Sequence, residues 1–231
     1  MPYSRNLVMS VDISGYSNGD DKRKERLQHD LLRLLDEAAQ QSGLDRGTWH
    51  NQPKGDEVLS VIPDSSLEPT VVDRFVRELH AALYRLNQDR SDMGRVRLRV
   101  AMDSGVSYST ENGFGGPAVV TVTRLNGDAA RNALRLRPYA DLVLILSNGL
   151  YGDLVRPGHT SYRPELFEAV EVTDKDFHDT AWVSFVDHVG RSGVQVAADA
   201  PPANGGGRQA VTTHVGHVTG DNIVFGFQTR G

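Results

Sequence analysis

The stretch VMSVDISGYSNGDD, residues 8–21, decides how the rest of the chain is read. An apolar, β-branched run ends on Asp12, and glycines, small polar residues and two more acids follow at once. Such a run predicts a buried strand over residues 7–12. The abrupt change of composition predicts a loose turn away from the strand, with a carboxylate left at its tip.

Outward from that strand, Asp20 or Asp21 is placed to cap a helix running to about residue 41. Leu27, Leu31, Leu34, Leu35 and Ala38 share one face of it, and Gly43 ends it. Residues 48–52 and 58–62 read as two strands joined by the turn sequence PKGDE. Pro69 opens a second helix to about residue 87. RVRLRVAM, residues 95–102, alternates as a strand, and its arginines read as solvated or packed along their stems. NGFGGP, 112–117, reads as a flexible glycine loop, and 118–136 as one helix despite the β-branched VVTVT at its start. LVLILS, 142–147, is a core strand. A short helix over 148–154 and strands near 167–172 and 182–186 complete the order. This order of elements predicts an α+β fold: a mixed, ferredoxin-like sheet with helices packed on it. The single globule spans 1–199, a Pro/Gly linker 200–208, and a short tail 209–231.

Composition narrows the function classes. The 231 residues are 39% hydrophobic and 24% charged, an ordinary globular balance with enough chain for a sizeable core. A net charge of −5 gives no global reason to expect DNA or RNA as a partner. There is no cysteine, which excludes disulfides and thiolate metal sites and fits a cytoplasmic location. The N-terminus lacks an apolar signal core, and no apolar run is long enough for a membrane span. None of the eight histidines has HExxH spacing; the nearest pair, His214 and His217, lies in the tail.

Two acids carry the chemistry. Asp12 ends the first strand, and Asp56 sits in the hairpin turn after Gly55. If the strand pairs beside that hairpin, the carboxylates converge at one edge of the sheet. Two carboxylates forced together repel unless a cation lies between them. Hard oxygen ligands with room for water and phosphate oxygens suit magnesium or manganese. The small residues of SGYSNGD expose backbone N–H groups, which is what a triphosphate needs.

VMSVDISGYS, PKGDEVLSVIP, RLRVAMDSGVSYS and GFGGPAVVTVTRL together resemble the successive motifs of class III nucleotidyl cyclases. Within that superfamily they are most like the pyrimidine cyclases of bacterial anti-phage (Pycsar-type) signalling. The resemblance covers about residues 5–187. It implies that Asp12 and Asp56 bind two divalent metals, Mg2+ or Mn2+, with the Ile13 carbonyl completing one shell. It implies that Ser14, Gly15, Tyr16 and Ser17 hold the β- and γ-phosphates, and that Arg124 stabilises charge on the α-phosphate. The family works as head-to-tail dimers, so a homodimer with shared sites is implied, Arg124 coming from the partner chain. Lys175 falls where the family often has a phosphate-binding cation, yet TDKDFHD reads equally as a hairpin turn.

Departures from the family pattern bear on the substrate. The asparagine that normally stands four residues before the arginine is Val120 here. Purine cyclases carry Lys or Glu where this chain has Gln52, and the second purine-selecting position falls at about Gly113. A neutral amide both donates and accepts, so it can read a pyrimidine edge. The implied substrate is UTP, or CTP. Trp49 and His50 flank this pocket; Trp49 is either a base-stacking ring or a core tryptophan. The alternatives are a degenerate, inactive cyclase-like module and a purine cyclase. The β-prone tail GDNIVFGFQ is either an edge strand or chain end, or a motif that recruits an effector.

Overall fold

The computed structural model describes residues 4–16, 20–174 and 176–186. Ser17, Lys175, the linker and the tail lie outside the described residues. The central strand β1, Ser4–Ile13, hydrogen-bonds on one side to β3, Glu57–Ile62, and on the other to β4, Leu98–Thr110, antiparallel to both. β2, His50–Lys54, extends the β3 side as a hairpin closed by Gly55 and Asp56. On the other side β6, Leu142–Ser147, runs parallel to β4. β8, Phe177–Phe185, and β7, Glu168–Asp174, close that edge as an antiparallel hairpin. The order is β2-β3-β1-β4-β6-β8-β7, a mixed sheet as the sequence predicts.

Period-two alternation assigns the two faces of β1. Leu7, Met9, Val11 and Ile13 belong to one core, shared with helix α1, Asp21–Ser42, and the helical segment that follows β3. That segment is continuous: α2, Glu68–Thr70, leads through a π-helical turn, Val71–Phe75, into α3, Val76–Gln88. Val8 faces the other way, into a second core beneath α4, Pro117–Leu125, and α5, Asp128–Leu136. Helix α1 begins and ends where its caps dictate. The Asp20 carboxylate accepts from the Arg23 amide at 2.8 Å, and Gly43 takes the left-handed conformation at φ 74°.

Three expectations need correction. VVTVT is helical, but the helix breaks at Asn126–Gly127, so 118–136 is two helices. Each β-branched residue costs an exposed helix about 0.5 kcal/mol. Burying Val122 and Leu125 on the sheet returns about 1.5–3 kcal/mol each, so packing decides. NGFGGP is not a flexible loop: β5, Gly113–Gly115, pairs with residues 108–110 of β4. The strand read at 95–102 begins at Leu98 and runs on to Thr110. Arg95 and Arg97 lie before it with their guanidinium groups engaged. Arg95 forms a two-pronged ion pair with buried Asp141, at 2.5 and 2.9 Å. Arg97 donates to the carbonyls of Leu134, Arg137 and Ala140 where α5 ends.

Candidate active site

The pairing of β1 with β3 sets Asp12 opposite Glu57, next to Asp56 in the hairpin turn. The Ile13 amide donates to the Asp56 carbonyl at 3.0 Å, which ties the end of β1 to that turn. Asp12 and Asp56 are thus brought together as the sequence predicts. The surroundings of Asp12 explain its chemistry. Burial pushes its carboxyl up to about 6, opposed by the hydrogen bond and charge of Arg99 and assisted by the charges of Asp56 and Glu57.

Arg99 is the residue that sequence reading misplaced. It is 6% exposed, and its guanidinium donates to one Asp12 carboxylate oxygen through both Nε, at 3.1 Å, and Nη2. The signal was its parity: Arg99 stands opposite Asp12 in the β1–β4 register. Ser10 and Asn126 were also missed. The Asn126 amide donates to Ser10 Oγ at 2.6 Å, and Ser10 Oγ donates to Glu57 Oε1 at 2.7 Å. This chain fixes the carboxylate beside Asp12. A serine inside an otherwise apolar buried strand was its only sequence trace.

Two carboxylates and a third neighbour, with one guanidinium between them, leave the site short of positive charge. Burial is the main cause of the raised Asp12 carboxyl, and the charges of Asp56 and Glu57 add to it. Among the described residues no three His, Asp or Glu side chains form a closed cage. A hard divalent cation that keeps water and substrate oxygens fits such a two-carboxylate edge.

The loop after β1 turns through Gly15 at φ 78°. The Ser14 amide is committed to the Arg97 carbonyl at 2.8 Å, so this N–H is not available to a phosphate. Tyr16 packs against the core, its hydroxyl accepting from Gln28 at 2.6 Å.

Gln52 and Gly113, far apart in sequence, meet. Gln52 Nε2 donates to the Asn112 carbonyl at 3.1 Å. A Cβ on Gly113, which has φ +126°, would lie 2.3 Å from that amide. The side chain of Gln52 therefore occupies the space a residue at 113 would need. His50, on the same face, has its ring 6.1 Å from that of Phe114. Both line a cleft of about 200 Å³ with Tyr108, Asn6 and Ser107. Trp49 points the other way, 5% exposed in the core and edge-on to Phe75 at 5.5 Å. Of its two readings, the structure gives the core tryptophan.

Among the described residues Arg124 is ion-paired to none of the carboxylates of this edge. It is ion-paired to Asp174, at the end of β7. β4, β6 and β8 lie between β1 and β7. Val120, one turn before Arg124, is 50% exposed.

No family model matches the sequence, and no curated protein matches it. Solved structures do match. The adenylate/guanylate cyclase/hydrolase from Silicibacter pomeroyi superposes with a TM-score of 0.61 at 17% identity, over 81% of this chain and 100% of that one. The adenylyl cyclase CyaB from P. aeruginosa gives 0.53 at 14% identity, over 84% and 100%. A dimeric guanylyl cyclase domain of the RhoGC fusion protein from the aquatic fungus Blastocladiella emersonii gives 0.52 at 14%, over 80% and 98%. The chain has the nucleotidyl cyclase fold. In this cyclase fold Asp12 and Asp56 stand where the first strand meets the hairpin turn, and the Gln52–Gly113 contact stands on the strand entering that turn.

Proposed function

We propose that this chain is a nucleotidyl cyclase that converts a nucleoside triphosphate, UTP or CTP in preference to purines, to its 3′,5′-cyclic monophosphate and pyrophosphate. The convergence of Asp12 and Asp56 at a half-buried sheet edge carries the reading. The cyclase fold supports it.

In the reaction the ribose 3′-oxygen attacks the α-phosphorus, the bond to the bridging oxygen breaks, and pyrophosphate leaves. The 3′-hydroxyl proton passes to solvent. Two bound Mg2+ or Mn2+ ions would lower the pKa of the attacking hydroxyl and shield the leaving group. Asp12, Asp56 and the Ile13 carbonyl would hold them. Arg99 keeps one oxygen of Asp12 fixed and leaves the other for a cation. Arg124 supplies a guanidinium for charge developing on the α-phosphate. Because its side chain is held at the β7 edge of its own chain, a site built across a two-fold homodimer is the natural arrangement. Lys175 would add a cation to the phosphates. Positioning and electrostatics supply most of the acceleration, so no strong base is required.

The Gln52 amide supports the pyrimidine preference. With Nε2 held by the Asn112 carbonyl, Oε1 and the second N–H form a donor–acceptor pair. Gly113 adds no side chain. His50 and Phe114 provide ring faces for a base. The reading extends to second-messenger synthesis in a cytoplasmic anti-phage response, with the 209–231 tail recruiting an effector. Among the described residues no helix is long and apolar enough to cross a membrane.

A second reading is a cyclase-like module that binds nucleotide without turning it over. Exposed Val120, in the place of the family asparagine, is the observation that favours it. Turnover by the wild-type chain of any of the four ribonucleotides with manganese separates the two readings, and Asp12→Ala and Asp56→Ala test the residue assignment. Both variants should stay folded, bind manganese more weakly and lose all turnover. A folded variant with near-normal activity overturns the assignment.

A further inference from the structure

A second charged feature lies on the opposite side of the sheet. Helices α1 and α3 pack on the face of β1 that bears Leu7, Met9, Val11 and Ile13, whereas Asp12 shares its face with Val8 and Ser10. Between the first turns of α1, the chain just beyond α3 and the turn at 91–94 is a cleft of about 340 Å³. Its lining is Arg23, Arg26, Leu27, Arg90, Ser91 and Gly94. Three of these six are guanidinium groups, none is a carboxylate, and Leu27 is the single apolar side chain.

The charge balance around this cleft is uneven. Arg90 has a carboxylate partner, Asp30 at 2.5 Å, but Asp30 is shared with Arg33 at 3.6 Å. Arg26 Nε donates to the Lys22 carbonyl at 3.3 Å, which offsets no charge. Asp20 accepts from the Arg23 backbone amide. Among the described residues neither Arg23 nor Arg26 is ion-paired to a carboxylate. Lys22 and Lys24 flank them, and Lys24 reaches Asp21 at 3.6 Å. The lining thus carries three guanidinium groups and no carboxylate in a chain of net charge −5, with Asp20, Asp21, Glu25, Asp89 and Asp92 close by in sequence.

We propose that this cleft is a binding site for an oligophosphate anion, separate from the catalytic edge. Guanidinium forks match phosphate oxygens two at a time. The cleft volume falls within the roughly 300–1,000 Å³ of small-molecule sites. With Leu27 the single apolar side chain and no aromatic ring in the lining, a ligand is recognised through its phosphates and not through a base. The Ser91 hydroxyl adds a neutral donor.

Isothermal titration of the full chain with inorganic tripolyphosphate, in EDTA to keep divalent ions out of the catalytic edge, tests this. Wild type and Asp12→Ala should bind alike, and the Arg23→Gln/Arg26→Gln double variant should bind at least about tenfold more weakly. Because both arginines lie on the helix surface, the double variant should keep its melting temperature; if it does not, Arg26→Gln alone should show a smaller loss in the same direction. Sulfate at equal ionic strength should compete poorly. No binding by wild type, equal binding by the arginine variants, or loss of binding in Asp12→Ala each overturns the proposal. The titration involves no turnover, and the arginine variants separate this cleft from the phosphate contacts proposed for Arg124 and Lys175 at the catalytic edge.

Discussion

Arg99 and Asp12 are register partners on β4 and β1, and their side chains form one ion pair at the end of the sheet where the hairpin turn arrives. The arginine side chain is 7% exposed and the aspartate 16%, so neither charge is freely screened by water. Removing one partner strands the other. Arg99→Met should destabilise the metal-free protein by about 2–4 kcal/mol at pH 7. The loss should shrink below pH 6, where Asp12 takes up a proton. Urea denaturation at pH 7.5 and 5 measures both values; a cost under about 0.5 kcal/mol at pH 7.5 contradicts the pairing.

Asp12 makes stability depend on pH in a definite direction. Its carboxyl is raised from 3.8 to about 6 in the folded chain. Between those values the folded state holds a proton that the unfolded state has released. The contribution of Asp12 is therefore most favourable below pH 4 and is lost as pH rises through 6. The ceiling is about 3 kcal/mol. Asp12→Asn should flatten that slope and abolish turnover, and by leaving the buried Arg99 guanidinium without a carboxylate it should lower stability at pH 7. Thermal melts of both proteins in EDTA from pH 4.5 to 7.5 test this; parallel curves would count against it.

Gly113→Ala inserts a methyl group into the Gln52 amide, at a backbone angle that suits glycine. Gln52 must move and lose its bond to the Asn112 carbonyl. We expect kcat/KM for the preferred pyrimidine to fall about tenfold or more, a loss of one or two oriented hydrogen bonds, with selectivity over purines reduced. Unchanged selectivity in a folded variant would remove Gln52 from base recognition.

The succession of elements and the carboxylate edge were legible in the sequence because they rest on local signals. Apolar runs marked β1 and β6, the PKGDE turn marked the β2–β3 hairpin, and that hairpin's pairing with β1 carried Asp56 to Asp12. The features missed depend on partners remote in sequence. Arg99 reads as a surface arginine until β1 is laid beside β4. Asn126 reads as the interior of a helix until its amide is seen on Ser10, which helps to end α4 there. The meeting of Gln52 and Gly113 was implied by the family resemblance; the β4–β5 hairpin that produces it is what a glycine-rich sequence conceals.

The shared-site arrangement predicts complementation. Asp56→Ala and Arg124→Ala should each be inactive as homodimers. A mixed dimer places both lesions in one site and leaves the other intact. With random exchange of equal amounts, half the dimers are mixed and each has one working site, so activity should recover to roughly a quarter of wild type. If native mass spectrometry shows mixed dimers and the mixture remains inactive, Arg124 does not act across the interface.

The central claim is tested most directly by incubating the purified full chain with ATP, GTP, CTP and UTP separately, with Mn2+, and identifying products by mass spectrometry. The account predicts a 3′,5′-cyclic pyrimidine monophosphate with stoichiometric pyrophosphate from UTP or CTP, faster than any purine product and absent in Asp12→Ala. No cyclic product from any of the four at high enzyme concentration would contradict cyclase activity, and faster conversion of ATP or GTP would contradict the role given to Gln52.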